Sequence, residues 1–104
     1  MPDYPAPDMA DVDIIEVMKA LSDPIRLHIV RLLADGAPRS KTMEGWGVDI
    51  TKSTMAHHFR ILRESGLTFT LISGRTHAIQ LRRSELDARF PGLIAAVVGE
   101  NSTD

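Results

Sequence analysis

Apolar residues recur along the first third of this chain with the period of a helix. The apolar positions between residues 14 and 21 fall on one face of an amphipathic helix. A second helix is predicted from Pro24 to Ala34, because Asp23 is a preferred N-cap residue and proline fits the first helical position. Gly36 then ends this helix. Its apolar residues surround most of the helix, so it is expected to be the most buried element.

The middle of the chain combines an irregular stretch, a strong helix and two short strands. Residues 40–46 have some helical character, but the neighbouring glycines predict a short or irregular helix. A strong helix is predicted over residues 51–64, with Thr51 or Ser53 as its cap and Ser65-Gly66 as its stop. Residues 67–72 and 77–81 are typical of two strands, which the intervening glycine-containing turn joins into a hairpin.

A last helical segment follows the hairpin. Ser84 is predicted to begin it, with Asp87 in a position like that of a capping box, and Pro91-Gly92 interrupts it. The order helix, helix, short helix, helix, hairpin, helix predicts a mainly α fold with a small β-hairpin, the winged helix-turn-helix. We expect residues 1–10 to be a disordered or loosely docked arm, residues 11–98 to form one domain, and residues 99–104 to be a tail.

The charge of the chain is strongly segregated. The formal net charge is only −2, which taken alone argues against a nucleic-acid partner. However, residues 51–83 contain six lysines and arginines against Glu64 alone, whereas residues 1–24 and 84–104 are both acidic. The basic charge therefore surrounds the predicted helix 51–64 and the hairpin. Such a surface is either solvated or binds DNA.

The helix over residues 51–64 has two chemically different faces. Met55, Phe59 and Leu62 lie on one side, and a polar set lies opposite. Within this polar set, Ser53 and His57 are short enough to reach base edges or phosphates, and Arg60 reads guanine or holds the DNA backbone. Lys52 and Thr54 occupy the first turn, where free backbone N–H groups favour a phosphate.

Two further basic side chains have alternative interpretations. His58 lies beside the Phe59 side of the helix, which favours a partly buried residue that is hydrogen-bonded within the domain. Arg75, at the hairpin tip next to Gly74, is placed where a wing residue reaches a minor groove, although a solvated turn arginine is the alternative.

Two segments of the chain carry a family resemblance. ALSDPIRLHIVRLLADG followed by ITKSTMAHHFRILRESGL resembles the ArsR/SmtB-type family of bacterial winged-helix repressors, over about residues 11–83. The resemblance implies a homodimer that binds an imperfect inverted repeat in double-stranded DNA. It also implies that the residues facing the major groove are Lys52, Ser53, Thr54, Ala56 and His57.

The first and last helices are the expected dimer interface. Both present more apolar surface than a monomer of 104 residues easily buries, and the resemblance implies that the family dimerises through these helices. The predicted interface residues are Ile14, Val17, Met18, Leu93, Ile94 and Val97.

The sequence departs from the metal-sensing members of the resembled family. It has no cysteine, and no histidine follows His77, so we expect neither a metal site nor another cofactor. This favours a non-metal small-molecule effector or none. The second departure is the glycine-rich segment around Trp46, which either fills the core or lines an effector pocket near the dimer interface.

Together these features predict a cytoplasmic, sequence-specific DNA-binding regulator, namely a homodimeric repressor. The alternative is a winged-helix module that binds another protein through its acidic ends without reading DNA. No catalytic motif is recognisable, so an enzyme is not expected. No apolar run approaches the about 18 residues that span a bilayer, and the acidic start does not resemble a signal peptide. We therefore expect neither a membrane-spanning nor a secreted protein.

Overall fold

Two capped helices begin the domain. In the computed structural model, which describes residues 4–100, α1 spans Ile14–Leu21 and α2 spans Pro24–Leu32. The Asp23 carboxylate accepts hydrogen bonds from the backbone N–H groups of Ile25 and Arg26, at 2.9 and 3.0 Å. The predicted N-cap and the proline at the first helical position are confirmed. α2 ends two residues earlier than predicted.

The third helix, α3, spans Lys52–Glu64, and both of its ends are closed by local hydrogen bonds. Thr51 is the N-cap: its hydroxyl accepts from the N–H of Thr54 at 3.1 Å. At the other end the N–H of Leu67 donates to the Leu62 carbonyl and that of Gly66 to the Arg63 carbonyl. This pair of bonds is a Schellman motif, which needs a residue in the left-handed region. Gly66 supplies it with a φ of +93°.

The wing is part of a three-stranded antiparallel sheet rather than a two-stranded hairpin. β2 (Thr68–Ser73) pairs with β3 (Thr76–Leu81), from Thr68 opposite Leu81 to Ser73 opposite Thr76. The additional strand, β1 (Arg39–Ser40), pairs with the other edge of β3. Two residues are too few for a strand pattern, so the sequence did not reveal β1. The predicted irregular helix is a single 3-10 turn at Met43–Gly45.

The carboxyl-terminal helices are α4 (Arg83–Arg89) and α5 (Leu93–Val98). The predicted capping by Ser84 and Asp87 is wrong. α4 begins at Arg83, so Ser84 lies inside the helix, and its N-cap residue is Arg82, whose side chain makes no capping hydrogen bond. The Asp87 carboxylate accepts from the Arg83 guanidinium at 2.9 Å. Arg83 also contacts the Ala34 carbonyl at 2.7 Å and the Glu100 carboxylate. These contacts join α2, α4 and the end of α5.

The core lies where α1, α2, α3, α5 and the sheet meet. Its largest fully buried side chains include Trp46, Ile29, Leu33, Met55 and Leu62. α3 contributes three buried residues to this core, and they form the predicted apolar side of that helix. The apolar side of α3 is therefore packed into the core, and its polar side faces outward.

The amino-terminal segment lies along the domain through its backbone carbonyls. Pro5 accepts a hydrogen bond from Arg63 at 3.2 Å, Pro7 from Arg82 at 2.8 Å and Met9 from Arg89 at 3.1 Å. A 3-10 turn at Met9–Asp11 connects this segment to α1. The predicted boundaries at residues 10 and 98 remain predictions, and residues 101–104 of the expected tail lie outside the described residues.

Candidate nucleic-acid interface

α3 presents a polar front above its buried back. Ser53, His57 and Arg60 are exposed, whereas Met55 and Phe59 are 1% and 5% exposed. Lys52, Thr54 and Ala56 are exposed on the same helix. The structure thus places all six residues that were predicted on this helix at its accessible surface.

The first turn of α3 offers free hydrogen-bond donors. The Thr51 hydroxyl satisfies the N–H of Thr54 and lies 2.9 Å from the Thr54 hydroxyl. The N–H groups of Lys52 and Ser53, at the helix start, have no intrahelical acceptor. Together with the exposed Lys52 ammonium and the positive end of the helix dipole, they favour an anion such as a phosphate.

His57 and Arg60 form a hydrogen-bonded pair on the front of α3. An Arg60 terminal guanidinium nitrogen lies 3.1 Å from His57 Nδ1. Because arginine only donates, Nδ1 is the acceptor, and the proton of the neutral ring is on Nε2. The pair therefore leaves an outward N–H donor on His57, held in place by the neighbouring arginine.

His58 holds α3 against α2 rather than facing solvent. Its Nδ1 accepts from the Arg26 guanidinium at 3.3 Å, and its side chain is 12% exposed. Burial lowers the pKa of His58, and the positive charges of Arg26 and His57 lower it further, against the opposing effect of the Asp23 carboxylate. The 4.0 Å approach to Asp23 is therefore not an ion pair at neutral pH. The prediction of a partly buried, hydrogen-bonded His58 is confirmed.

Arg75 lies at the tip of the wing. Gly74 and Arg75 form the two-residue turn between β2 and β3, and Gly74 has a φ of +61° with no atom near its missing Cβ. Arg75 is exposed and forms no hydrogen bond or ion pair with the part of the chain that the structure describes. Its guanidinium is therefore available to a ligand outside the domain.

Two more cations extend the basic surface, and neither was among the predicted site residues, although Arg63 belongs to the basic segment 51–83. Lys41 follows β1, and its ammonium lies 3.3 Å from the Thr70 hydroxyl and 5.3 Å from the centre of the Phe59 ring. Arg63 is at the end of α3, with its guanidinium 4.9 Å from the centre of the Tyr4 ring. Burial lowers the pKa of Lys41, and the charge of Arg63 lowers it further. The signal that could have found Lys41 is the strand β1, which is too short to predict.

The predicted dimer residues divide into two groups. Val17 and Ile94 are fully buried in the core of their own chain, so the prediction that they contact a partner is corrected. Ile14, Leu93 and Val97 are half-buried and Met18 is 54% exposed. Ile15, which the helical spacing had not selected, is also 54% exposed. The accessible apolar surface of α1 is therefore at Ile15 and Met18.

Trp46 fills the core. It is fully buried, its ring packs edge-on against Phe59 with centroids 5.3 Å apart, and its carbonyl accepts from His28 Nε2 at 2.7 Å. Of the two interpretations, the structure therefore favours the core residue. Within residues 4–100 there is no group of three histidine, aspartate or glutamate side chains that could hold a metal ion. None of the helices in this range is long and apolar enough to cross a membrane.

Comparisons with known proteins agree with this geometry. A family model described as a helix-turn-helix domain matches residues 21–68. The chain is 39% identical over 80 residues to an uncharacterised HTH-type transcriptional regulator of Bacillus subtilis strain 168, YceK, and the match covers 76% of this chain and 80% of that protein. The crystal structure of an ArsR family transcriptional regulator superimposes with a TM-score of 0.64 at 21% identity, covering 99% of this chain and 100% of the other. The last similarity concerns the fold.

Proposed function

This chain belongs to the HTH-type transcriptional regulators, and we propose that it is an ArsR-type homodimeric repressor that reads an imperfect inverted repeat in double-stranded DNA. The observation that carries this proposal is the front of α3, where polar and basic side chains are exposed above a fully buried back. Such a helix enters the major groove as a rigid body. A regulator of this kind acts in the cytoplasm, where its DNA is, and we expect no catalytic activity.

Base reading is assigned to Ser53, His57 and Ala56. Ser53 and His57 are four residues apart, so they lie one above the other on the helix front. The His57 Nε2–H that remains beside Arg60 matches an acceptor on a base edge, such as guanine O6 or N7. Ala56 is small enough to let the helix approach closely and to contact a thymine methyl group.

Phosphate contacts are assigned to the residues around this reading face. Lys52 and Thr54 lie on the first turn of α3, where the free N–H groups add to the attraction for a phosphate. Arg60 contributes a further positive charge. Arg75, at the tip of the wing, reaches the adjacent minor groove, whose negative potential attracts a guanidinium. These contacts position the protein and make its binding depend on salt.

Dimerisation is assigned to the exposed apolar side chains of α1 together with α5. Ile15 and Met18 are each about half exposed, and Ile14, Leu93 and Val97 are half-buried. Burying them against a second copy removes this apolar surface from water. A two-fold dimer would place its two α3 helices about 34 Å apart, which is one turn of DNA. A metal effector is not proposed; the effector is a non-metal molecule or none.

The test compares two variants on a duplex selected from a random pool by the full-length protein. His57→Ala should weaken binding and also lose discrimination at one base pair, by about 1–3 kcal/mol for that position. Arg75→Ala is the matched comparison, because it should weaken binding to all sequences alike. If His57→Ala loses affinity equally on every sequence, the base-reading role is refuted. If both variants bind as tightly as the parent protein, the whole interface is refuted.

A further inference from the structure

Two cavities meet along α3 and form one groove. One has a volume of about 380 Å³ and extends to Tyr4 and Arg63; the other, of about 450 Å³, extends to Met43 and Met55. Both are lined by the same four residues, Lys41, Ser53, Ala56 and Phe59. We call this continuous space the α3 groove. Its two parts have the size of sites that hold small organic molecules.

The charge of the α3 groove is of one sign. Its lining includes lysines, arginines and His57 but no carboxylate among the described residues. Two other cavities among the described residues differ, because Glu16 and Glu64 line one and Asp35 and Glu85 line the other. A ligand that enters the α3 groove therefore meets positive charge that no acidic side chain in its lining offsets.

Lys41 is a half-buried cation of the groove that has no carboxylate partner among the described residues. It is half-buried between the rings of Phe59 and Tyr4, which lie 5.3 and 5.5 Å from its ammonium, and it forms no ion pair with a carboxylate of residues 4–100. Within the described residues, the ammonium of Lys41 donates one hydrogen bond, to the neutral Thr70 hydroxyl. Burial and the nearby Arg63 both lower the pKa of Lys41. A bound anion would compensate both effects, because it supplies the opposite charge that a desolvated ammonium lacks.

The part of the groove that extends to Met43 adds apolar surface, with Lys41 and Lys52 as the cations of its lining. Met43 and Met55 lie there with the ring of Phe59, and methionine side chains adapt to irregular apolar ligands. The methionine and phenylalanine side chains would contact the hydrocarbon part of an organic molecule. The groove thus combines cationic side chains with apolar surface.

We propose that the α3 groove binds a small organic anion, namely a carboxylate with an apolar body. The carboxylate lies at Lys41 and Arg63, and the apolar body lies on Phe59 and Met43. The consequence for DNA rests on the proposed function: because Ser53 and Ala56 line the groove and also belong to the DNA-reading face, an occupied groove excludes DNA. The ligand would act by direct competition and release the repressor.

The first experiment titrates the full-length protein with 4-phenylbutyrate, and with 4-phenylbutan-1-ol and acetate as controls. Binding is followed by isothermal titration calorimetry, because Trp46, the single tryptophan of the chain, is fully buried and does not line the groove. Saturable binding of 4-phenylbutyrate is expected, at least about tenfold tighter than that of the alcohol, which lacks the charge, or of acetate, which lacks the apolar body. Equal binding of all three molecules, or no saturable binding of 4-phenylbutyrate, would overturn the proposal.

Variants locate the binding site. Lys41→Gln should weaken 4-phenylbutyrate binding by about tenfold, and Arg63→Gln should weaken it in the same direction. Lys19→Gln is the matched control: this lysine on α1 is exposed, pairs with Glu16 and lies outside the groove, so its loss should leave binding unchanged. Thermal unfolding verifies that each variant folds. If Lys41→Gln or Arg63→Gln folds and binds 4-phenylbutyrate like the parent, the proposed position of the carboxylate is refuted.

The second experiment separates an organic anion from a DNA phosphate. 4-Phenylbutyrate should release the parent protein from its selected duplex, and Lys41→Gln should need about tenfold more of it. If Lys41→Gln instead loses DNA affinity while its 4-phenylbutyrate binding is unchanged, Lys41 holds a DNA phosphate and the proposal is wrong. If the parent protein binds 4-phenylbutyrate as expected but no duplex, the proposed function fails while the anion site stands.

Discussion

The turn between α3 and the wing allows a sharp test of the fold. Gly66 has a φ of +93°, and a Cβ at this position would overlap Val12 Cγ2 and lie 3.1 Å from Val12 Cγ1. Val12 is 2% exposed and β-branched, so it cannot easily rotate away. Gly66→Ala is therefore expected to destabilise the domain in two ways.

The magnitude follows from these two contributions. Placing an L-residue in the left-handed region costs about 1–2 kcal/mol, and forcing an extra methyl group into a packed site costs about 1–3 kcal/mol. The free energy of unfolding of Gly66→Ala should therefore fall by about 2–5 kcal/mol, a large part of the total stability of a small domain. The cause is strain at the end of α3, not a lost contact.

Gly74→Ala is the matched control. Gly74 also has a positive φ, of +61°, but nothing lies within 4 Å of its missing Cβ. This variant should lose only the backbone contribution, about 1–2 kcal/mol. Urea unfolding followed by circular dichroism measures both values. If the two variants lose equal stability, the close approach of Val12 to the turn does not exist and the reasoning is refuted.

Three further predictions concern caps, pH and assembly. Asp23→Ala should lower the free energy of unfolding by about 1–2 kcal/mol in urea unfolding, because it leaves two N–H groups of α2 without their acceptor; Asp13→Ala, which loses one such bond at an exposed site, should cost less. The folded state lowers the pKa of His58 below 6.5, so its contribution to stability is present above that pH and is lost as the pH falls toward the lowered value. The free energy of unfolding, measured by urea at pH 7 and pH 5, should therefore be lower at pH 5, and the difference should be smaller in His58→Asn. An equal difference in the variant would contradict this. If the proposed dimer forms, Met18→Asp should be monomeric in sedimentation velocity, whereas Lys19→Ala should remain dimeric; a parent protein that is monomeric at micromolar concentration would refute the proposed dimer.

Most of the fold could be predicted because its helices carry local signals. Asp23 and Pro24 mark the start of α2, and Thr51 and Gly66 mark the ends of α3. The two faces of α3 also follow directly from a period of 3.6 residues. These features depend on residues a few positions apart, which is the range over which a single sequence is informative.

The remainder depends on contacts between distant parts of the chain. β1 exists because Arg39 and Ser40 find the free edge of β3, some forty residues later. Ser84 does not cap α4 because the helix begins one residue earlier, at Arg83, whose guanidinium reaches Asp87 and the distant Glu100. The α3 groove could not be predicted for the same reason, because Tyr4, Lys41 and Arg63 come together only in the folded chain.

Salt titration of DNA binding tests the central claim most directly. The affinity of the full-length protein for its selected duplex and for a scrambled duplex of equal length would be measured from 50 to 200 mM salt. With Lys52, Arg60 and Arg75 in each protomer of a dimer, about six phosphate contacts are expected, so affinity should fall by about 10³-fold over this range. The selected duplex should bind more tightly than the scrambled one throughout. Affinity that is insensitive to salt, or equal for the two duplexes, would contradict a DNA-reading regulator.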